Sequence, residues 1–151
     1  MTNYPIERVV PHDAPMILID NLLSYNEDEA QCGVTVTEHS PFFSSVINGV
    51  PSYVGIEYMA QSIAAYAGAL ANDGNKPVKI GFLIGTRKYQ TYQPFFKKGS
   101  KLTINAHKLY QDESGLSVFE CQIYECENLL CQAKINVFQP KEPLEFIREN
   151  Q

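Results

Sequence analysis

The chain has 151 residues and a mass of 17.0 kDa, which is the size of one domain, and we expect residues 1–151 to form a single domain. Its 44% of apolar residues exclude an intrinsically disordered chain, and its net charge of −5 argues against general nucleic-acid binding. The longest nearly apolar stretch, Ile63–Ala71, is far shorter than the roughly 20 residues that span a bilayer. Met1–Pro11 lacks the apolar segment of a secretory signal, so we expect a cytoplasmic protein.

The charges are distributed unevenly along the chain. All seventeen acidic residues lie outside the segment from Lys76 to Lys108, and eight of the twelve cations lie within it. Such a basic segment suits an acidic macromolecule or a phosphorylated group. Solvated lysines that discourage pairing at a strand edge are the alternative interpretation. The eight cations are Lys76, Lys79, Arg87, Lys88, Lys97, Lys98, Lys101 and Lys108.

Two strands are predicted before any helix. Met16–Ile19 is a short apolar run, and Gln31–Thr37 has the two-residue period of a half-buried strand. The acidic turn Asn26–Glu29 joins them.

One long helix is predicted over Val54–Ala71, where apolar residues recur at helical spacing. Ser52 is the expected N-cap, and the turn residues at 72–75 end the helix. Because this helix is apolar around nearly its whole circumference, we expect burial on most sides. One curved sheet covers only part of such a helix, so a second subunit is expected to cover the rest.

Four further strands are predicted after the helix, and turn residues separate them. Short connections make the last three an antiparallel meander. The pattern as a whole predicts an α+β fold with five or six antiparallel strands wrapped around one central helix. The four strands are Lys79–Tyr92, Lys101–Tyr110, Ser117–Tyr124 and Leu130–Phe138.

The cysteine spacing indicates neither a metal site nor a disulfide framework. Cys121, Cys126 and Cys131 repeat every five residues instead of forming the C-x-x-C pairs of structural zinc sites. Together with Cys32 they are interpreted as small buried thiols, and no cofactor is implied.

Glu57 is the one ionisable carboxylate within the predicted helix, and Gln61 follows one turn later on the same face. Burying an isolated carboxylate is costly, so we expect Glu57 to hold a proton near neutrality and to serve as a general acid. An exposed glutamate favoured by the helix dipole is the alternative. Backbone amides around Ser52 and Tyr53 are expected to point outward and suit a carbonyl oxygen that gains negative charge.

Several segments resemble the hot-dog fold 3-hydroxyacyl-acyl carrier protein dehydratases, in the same order and over nearly the whole chain. The similarity is greatest to the dehydratase-like proteins of aryl polyene clusters. It implies a sheet wrapped around the helix and a dimer with tunnels at its interface. The segments are VPHDAPMILID (Val10–Asp20), SPFF (Ser40–Phe43), GVPSYVGIEYMAQ (Gly49–Gln61), IGFLIGTRKYQ and FKKGSKL.

The resemblance also implies roles for individual residues. Glu57 matches the family's acid, and the amide of Ser52, where the family usually has Gly, would hold the thioester carbonyl. Tyr53 and Gln61 complete the expected substrate-binding set. The pantetheine arm of an acyl carrier protein would deliver the substrate, and the expected docking residues are Arg87, Lys88, Lys97 and Lys98.

The family's catalytic base is missing at its usual place. It is a His in a Gly-His-Phe-Pro segment fourteen positions before the acid, where this chain has Phe43. His39 is the one histidine near that loop and is a candidate for a displaced base. His12 falls on a motif that is structural in the family, and His107 is interpreted as an ordinary strand residue.

Four hypotheses follow, and the sequence does not decide between the first two. The chain is either a homodimeric dehydratase that uses His39, or the acid-bearing subunit of a heterodimer with a His-bearing relative. A hot-dog thioesterase and a non-catalytic acyl-binding subunit are the other two. Neither nucleic acid nor a membrane is an expected partner.

Overall fold

The computed structural model describes residues 4–11, 16–77 and 82–138, without the side chains of residues 82–84. These residues form two α-helices, one short 3-10 turn and eight strands. The helices are α1 Ile6–Val9 and α2 Gly55–Asp73, and the 3-10 turn is Ser52–Val54. The strands are β1 Asn21–Tyr25, β2 Glu29–Thr35, β3 Gly49–Pro51, β4 Phe82–Thr91, β5 Phe95–Lys97, β6 Lys101–Gln111, β7 Leu116–Glu125 and β8 Asn128–Phe138.

Six strands form one antiparallel sheet in the order β1-β2-β6-β7-β8-β4. The predicted meander is confirmed, since β6, β7 and β8 pair consecutively. The chain leaves β2, passes through α2 and returns at the opposite edge of the sheet as β4. This crossing lays α2 across the sheet, so the predicted α+β architecture is confirmed.

The core lies between α2 and the sheet. Tyr58 packs against Phe96 with ring centroids 5.8 Å apart, and Tyr66 meets the edge of Phe119 at 5.5 Å. Ten of the nineteen residues of α2 are buried, and five of these ten are small residues that allow close approach, namely Gly55, Ser62, Ala65, Gly68 and Ala69. No helix of the described residues is both long and apolar enough to cross a lipid bilayer.

The short helix α1, which the sequence did not indicate, packs on the C-terminal half of α2. A Cβ on Gly68 would collide with the backbone carbonyl of Val9, so the two helices meet at a glycine contact. The Asn72 side-chain amide donates to the Arg8 carbonyl, and Arg8 donates back to Asn72 Oδ1 at 3.0 Å. Tyr25 donates to Asp73 at the end of the same helix.

The strand predicted at Met16–Ile19 is wrong, because the first strand starts at Asn21. Leu18 and Ile19 are buried as their apolar character requires. However, the Leu18 amide donates to the side chain of Gln61 on α2 at 2.8 Å instead of joining a strand ladder.

The predicted helix agrees with α2 to within two residues at each end. The predicted N-cap, however, is wrong. No side chain caps either α2 or the preceding 3-10 turn, so Ser52 is not an N-cap. The loop before the helix contains β3, which pairs with β5 in a separate two-stranded sheet. Three-residue strands carry too little periodicity to be predicted.

Candidate active site

The site is built at the start of α2, where the chain leaves β3 and makes the 3-10 turn. The Ser52 amide donates to the Pro94 carbonyl at 3.1 Å, which continues the pairing of β3 with β5. The expectation of a free amide at Ser52 is therefore wrong for this chain. Tyr53 is the next residue of the turn, and its side chain is exposed.

Glu57 lies in the first turn of α2, half buried, and faces a groove between the helix and the sheet. The groove has a volume of about 570 Å³. Ala60, Ala64 and Ala67 line its helix side, and Phe119 lines its sheet side. A carboxyl group next to a channel of small apolar side chains suits an apolar chain whose reactive end reaches the carboxyl.

Gln61 fixes one oxygen of Glu57. Its side-chain oxygen accepts from the Leu18 amide at 2.8 Å, and its side-chain nitrogen donates to the Met16 carbonyl at 2.7 Å and to Glu57 Oε1 at 3.3 Å. The two backbone partners define the orientation of the amide, since an N–H only donates and a carbonyl only accepts. Gln61 is 1% exposed, so the geometry favours a positioning role over the substrate contact that we expected.

The described histidines lie outside the lining of this groove. The side chain of His39 is 88% exposed, and its Nε2 lies 3.6 Å from Glu38 Oε1. Nδ1 of His107 lies 3.5 Å from Glu29 Oε2 on β2, as an ordinary strand residue would. Phe43, at the position of the family's base, packs partly buried against the core. His12 lies outside the described residues.

The four residues expected to dock a carrier protein are all exposed, and they belong to two elements. Arg87 and Lys88 are on β4, the edge strand of the large sheet, whereas Lys97 ends β5 and Lys98 follows it. Lys98 Nζ lies 3.2 Å from Glu38 Oε2, so its charge is partly balanced.

The buried cysteines offer no activated thiolate. Cys32, Cys121 and Cys131 are buried as predicted, whereas Cys126 is exposed, contrary to the prediction. Burial raises the pKa of Cys32 to about 11 and raises the pKa of Cys121 as well, so both remain thiols at neutral pH. Within the described residues no group of three His, Cys, Asp or Glu side chains could hold a metal ion.

One residue next to the site gave no signal in the sequence. Tyr89 belongs to a predicted strand, and its hydroxyl donates to the carbonyl of Ser52 beneath the start of α2. A tyrosine in a strand is common, and neither spacing nor charge distinguishes this one.

Comparison with known proteins gives a consistent result. The family model ApeP-like, described as ApeP dehydratase, matches residues 4–148. The 3-hydroxyacyl-[acyl-carrier-protein] dehydratase FabZ of Chlamydia trachomatis is 36% identical over 109 residues, which are 67% of this chain and 68% of that protein.

Solved structures give the same fold. The dehydratase heterocomplex ApeI:P from Xenorhabdus doucetiae contains a chain that matches with a TM-score of 0.91 and 30% identity over 99% of both chains. A hypothetical thioesterase from Streptococcus pneumoniae, bound to coenzyme A, matches with a TM-score of 0.62 at 12% identity, over 79% of this chain and 86% of that one. This second similarity shows the hot-dog fold alone. The match over nearly the whole length and the shared fold establish that the chain belongs to the ApeP-like dehydratase family.

Proposed function

We propose that this chain is the acid-bearing subunit of a heteromeric 3-hydroxyacyl-[acyl-carrier-protein] dehydratase in fatty acid or polyketide biosynthesis of the aryl polyene type. Glu57 is the proposed acid, and a second hot-dog chain supplies the catalytic His. The observation that carries the proposal is a groove with a carboxyl at the helix start and no histidine among its described lining residues.

The proposed chemistry is an elimination. A base on the partner removes a proton from C2 of the acyl thioester, and the electrons of that C–H bond form the C2=C3 double bond. The bond between C3 and oxygen breaks as Glu57 gives its proton to the hydroxyl, which leaves as water. Because Gln61 donates to Oε1, the acid proton is best placed on Oε2. Return of the base's proton to Glu57 completes the cycle.

The heteromer is favoured over a homodimer that uses His39. A general base must approach within about 3 Å of the proton that it removes. The His39 side chain is almost fully exposed, and Phe43 takes the expected place of the base. The similarity to a chain of the ApeI:P heterocomplex also supports a mixed assembly.

The edge strand β4 is the proposed site of pairing with the partner. Among the described residues it is paired on one side, with β8, along Phe82–Thr91. An edge of this length has a row of backbone donors and acceptors that another chain can use. We further infer a cytoplasmic location, because all four cysteines are unpaired thiols.

An acyl carrier protein with a pantetheine-linked chain is the proposed source of the substrate. Arg87 and Lys97 are exposed cations on neighbouring segments of the chain, and carrier proteins are acidic. For the backbone amide that receives the thioester carbonyl we propose Tyr53 in place of Ser52, whose amide already donates to Pro94.

The test is reconstitution. The chain is purified alone and with a hot-dog relative that has an intact Gly-His-Phe-Pro loop, and loss of water from a 3-hydroxyacyl carrier protein is followed by mass spectrometry. Activity is expected in the mixed complex alone, and Glu57→Gln should reduce it about 10²- to 10⁴-fold without dissociating the complex. His39→Ala is the matched control and should leave turnover unchanged. Dehydration by the chain alone, lost on His39→Ala, would establish the homodimer instead.

A further inference from the structure

We propose that Tyr89 is a positioning residue, which fixes the first turn of α2 and thereby the carboxyl of Glu57. This inference rests on the proposed function, since it assigns Tyr89 to the same reaction. Tyr89 would not touch the substrate. It would act through the Ser52 carbonyl, five positions before the acid.

The Ser52 carbonyl accepts two hydrogen bonds at the start of the helix. One comes from the Gly55 amide, which closes the 3-10 turn, and the other comes from the Tyr89 hydroxyl. No side chain caps the turn or the helix, and Tyr89 does not act as a cap either, because a cap accepts from free N–H groups whereas this hydroxyl donates to a carbonyl. Its bond instead ties the turn before α2 to β4.

The direction of the bonds follows from their partners. A carbonyl only accepts, so the Tyr89 hydroxyl donates its one hydrogen to Ser52. Cys131 Sγ lies 3.4 Å from the same hydroxyl oxygen, and its S–H is then the donor to that oxygen. Burial raises the pKa of Tyr89, which keeps the hydroxyl a donor over the working pH range.

A β-bulge in β4 turns Tyr89 toward the helix. Arg87 pairs with Lys134 and Gln90 pairs with Gln132, so three steps along β4 match two steps along β8. In a regular strand residues 87 and 89 would share one face. Here Arg87 is exposed whereas Tyr89 packs against the core, so the bulge has separated them.

The bulge requires an unfavourable backbone at Lys88, whose φ is 53°. The left-handed conformation is unfavourable for a residue that carries a side chain, and glycine is usual at this position of a bulge. A strained conformation of this kind persists where surrounding contacts determine it. Here the contact of the neighbouring Tyr89 with the core holds Lys88 in this conformation.

The missing side chain of Gly55 leaves space for the Tyr89 hydroxyl. Gly55 begins α2, and a Cβ there would collide with the Tyr89 hydroxyl and approach Phe96 Cζ at 3.2 Å. The hydroxyl therefore sits directly against the backbone of the helix start. Because Glu57 is two residues further on, a shift of this turn moves the carboxyl. A misplacement of about 1 Å can reduce turnover 10²-fold.

The test is Tyr89→Phe in the mixed dehydratase complex, with kcat and KM measured separately. Loss of the hydroxyl should reduce kcat about tenfold or more, because it displaces the acid and also the proposed Tyr53 amide, whose N–H belongs to the same peptide group as the Ser52 carbonyl. KM should stay within about twofold, because both groups act mainly on the transition state and the acyl chain still binds along the groove. The matched control is Tyr25→Phe, which removes hydroxyl bonds to Asp73 at the opposite end of α2. It should lower stability and leave kcat unchanged.

Two further variants make the result decisive. Gly55→Ala retains the hydroxyl but displaces it, and it should reduce kcat as Tyr89→Phe does, also in case Tyr89→Phe does not fold. Glu57→Gln is measured in parallel. If Glu57→Gln is inactive while Tyr89→Phe or Gly55→Ala keeps the kcat of the parent complex, the role of Tyr89 is refuted and the proposed function stands. If Glu57→Gln retains full turnover, the proposed function itself fails.

Discussion

Replacing Gln61 by Met tests whether this residue joins the active site to the chain before β1. Methionine has nearly the same length and fills the same volume, but it makes none of the three hydrogen bonds of Gln61. The amide of Leu18 is then left without its acceptor. Since Leu18 is 5% exposed, water does not replace that acceptor, and a buried unsatisfied donor costs about 1–3 kcal/mol.

The Met16 carbonyl should contribute little to this loss, because Met16 is 58% exposed and water can bond to its carbonyl. A domain of this size changes its midpoint by about 2–4 °C per kcal/mol, so Gln61→Met should lower the Tm by about 2–12 °C. The assay is thermal unfolding at a fixed protomer concentration, because assembly also shifts the midpoint.

The matched control is Gln132→Met, which removes the exposed bonds of Gln132 to Gln90 and Tyr92. It should change the free energy of unfolding by no more than about 0.5 kcal/mol. Equal midpoints for the Gln61 and Gln132 variants would refute the reasoning, because they would mean that the Leu18 amide finds another partner.

Three other predictions concern different parts of the molecule. The double variant Arg87→Glu, Lys97→Glu should weaken carrier-protein binding and remove its dependence on ionic strength, measured as affinity at two salt concentrations; equal affinities for variant and parent would leave these cations without a docking role. Hydroxyl donors lower the pKa of Asp73 below its usual 3.8, so the stability from this carboxylate is present above that pH and disappears below it. Asp73→Asn should therefore differ most from the parent at neutral pH and approach it in acid, and a constant difference would contradict this. Gly68→Ala should destabilise the chain by about 1–3 kcal/mol in denaturant unfolding, since a Cβ there meets the Val9 carbonyl; a stabilised variant would show that α1 moves away easily.

The sequence predicted the structure correctly where the local pattern and the tertiary contacts favour the same element. The long apolar period of Val54–Ala71 predicted α2, because a 3.6-residue repeat of this length fits one kind of element. The turn between β6 and β7 was predicted for a local reason as well. Asp112 accepts from the amides of Ser114 and Leu116, which is the turn chemistry of an aspartate.

The predictions from sequence were wrong or absent where contacts between residues far apart in the chain determine the local structure. Leu18 resembles a strand residue by composition, but its amide bonds to a side chain forty-three residues away. Ser52 resembles an N-cap, but its amide is bonded to Pro94 across the small sheet. The bulge that turns Tyr89 inward depends on the register between β4 and β8, and no local pattern specifies that register. Glu57 was singled out because it is the one carboxyl of the predicted helix Val54–Ala71, and its role as the acid stays a prediction.

The bond between the Leu18 amide and Gln61 has a practical consequence for spectroscopy. This amide is one hydrogen-bonded side chain away from Glu57, and it is buried from solvent. A ligand that reaches Glu57 changes the polarisation of the Gln61 amide, so the Leu18 N–H resonance should move on binding. Isotope labelling of leucine alone would then follow acyl chain arrival in an intact complex, without a chromophore or any change to the site.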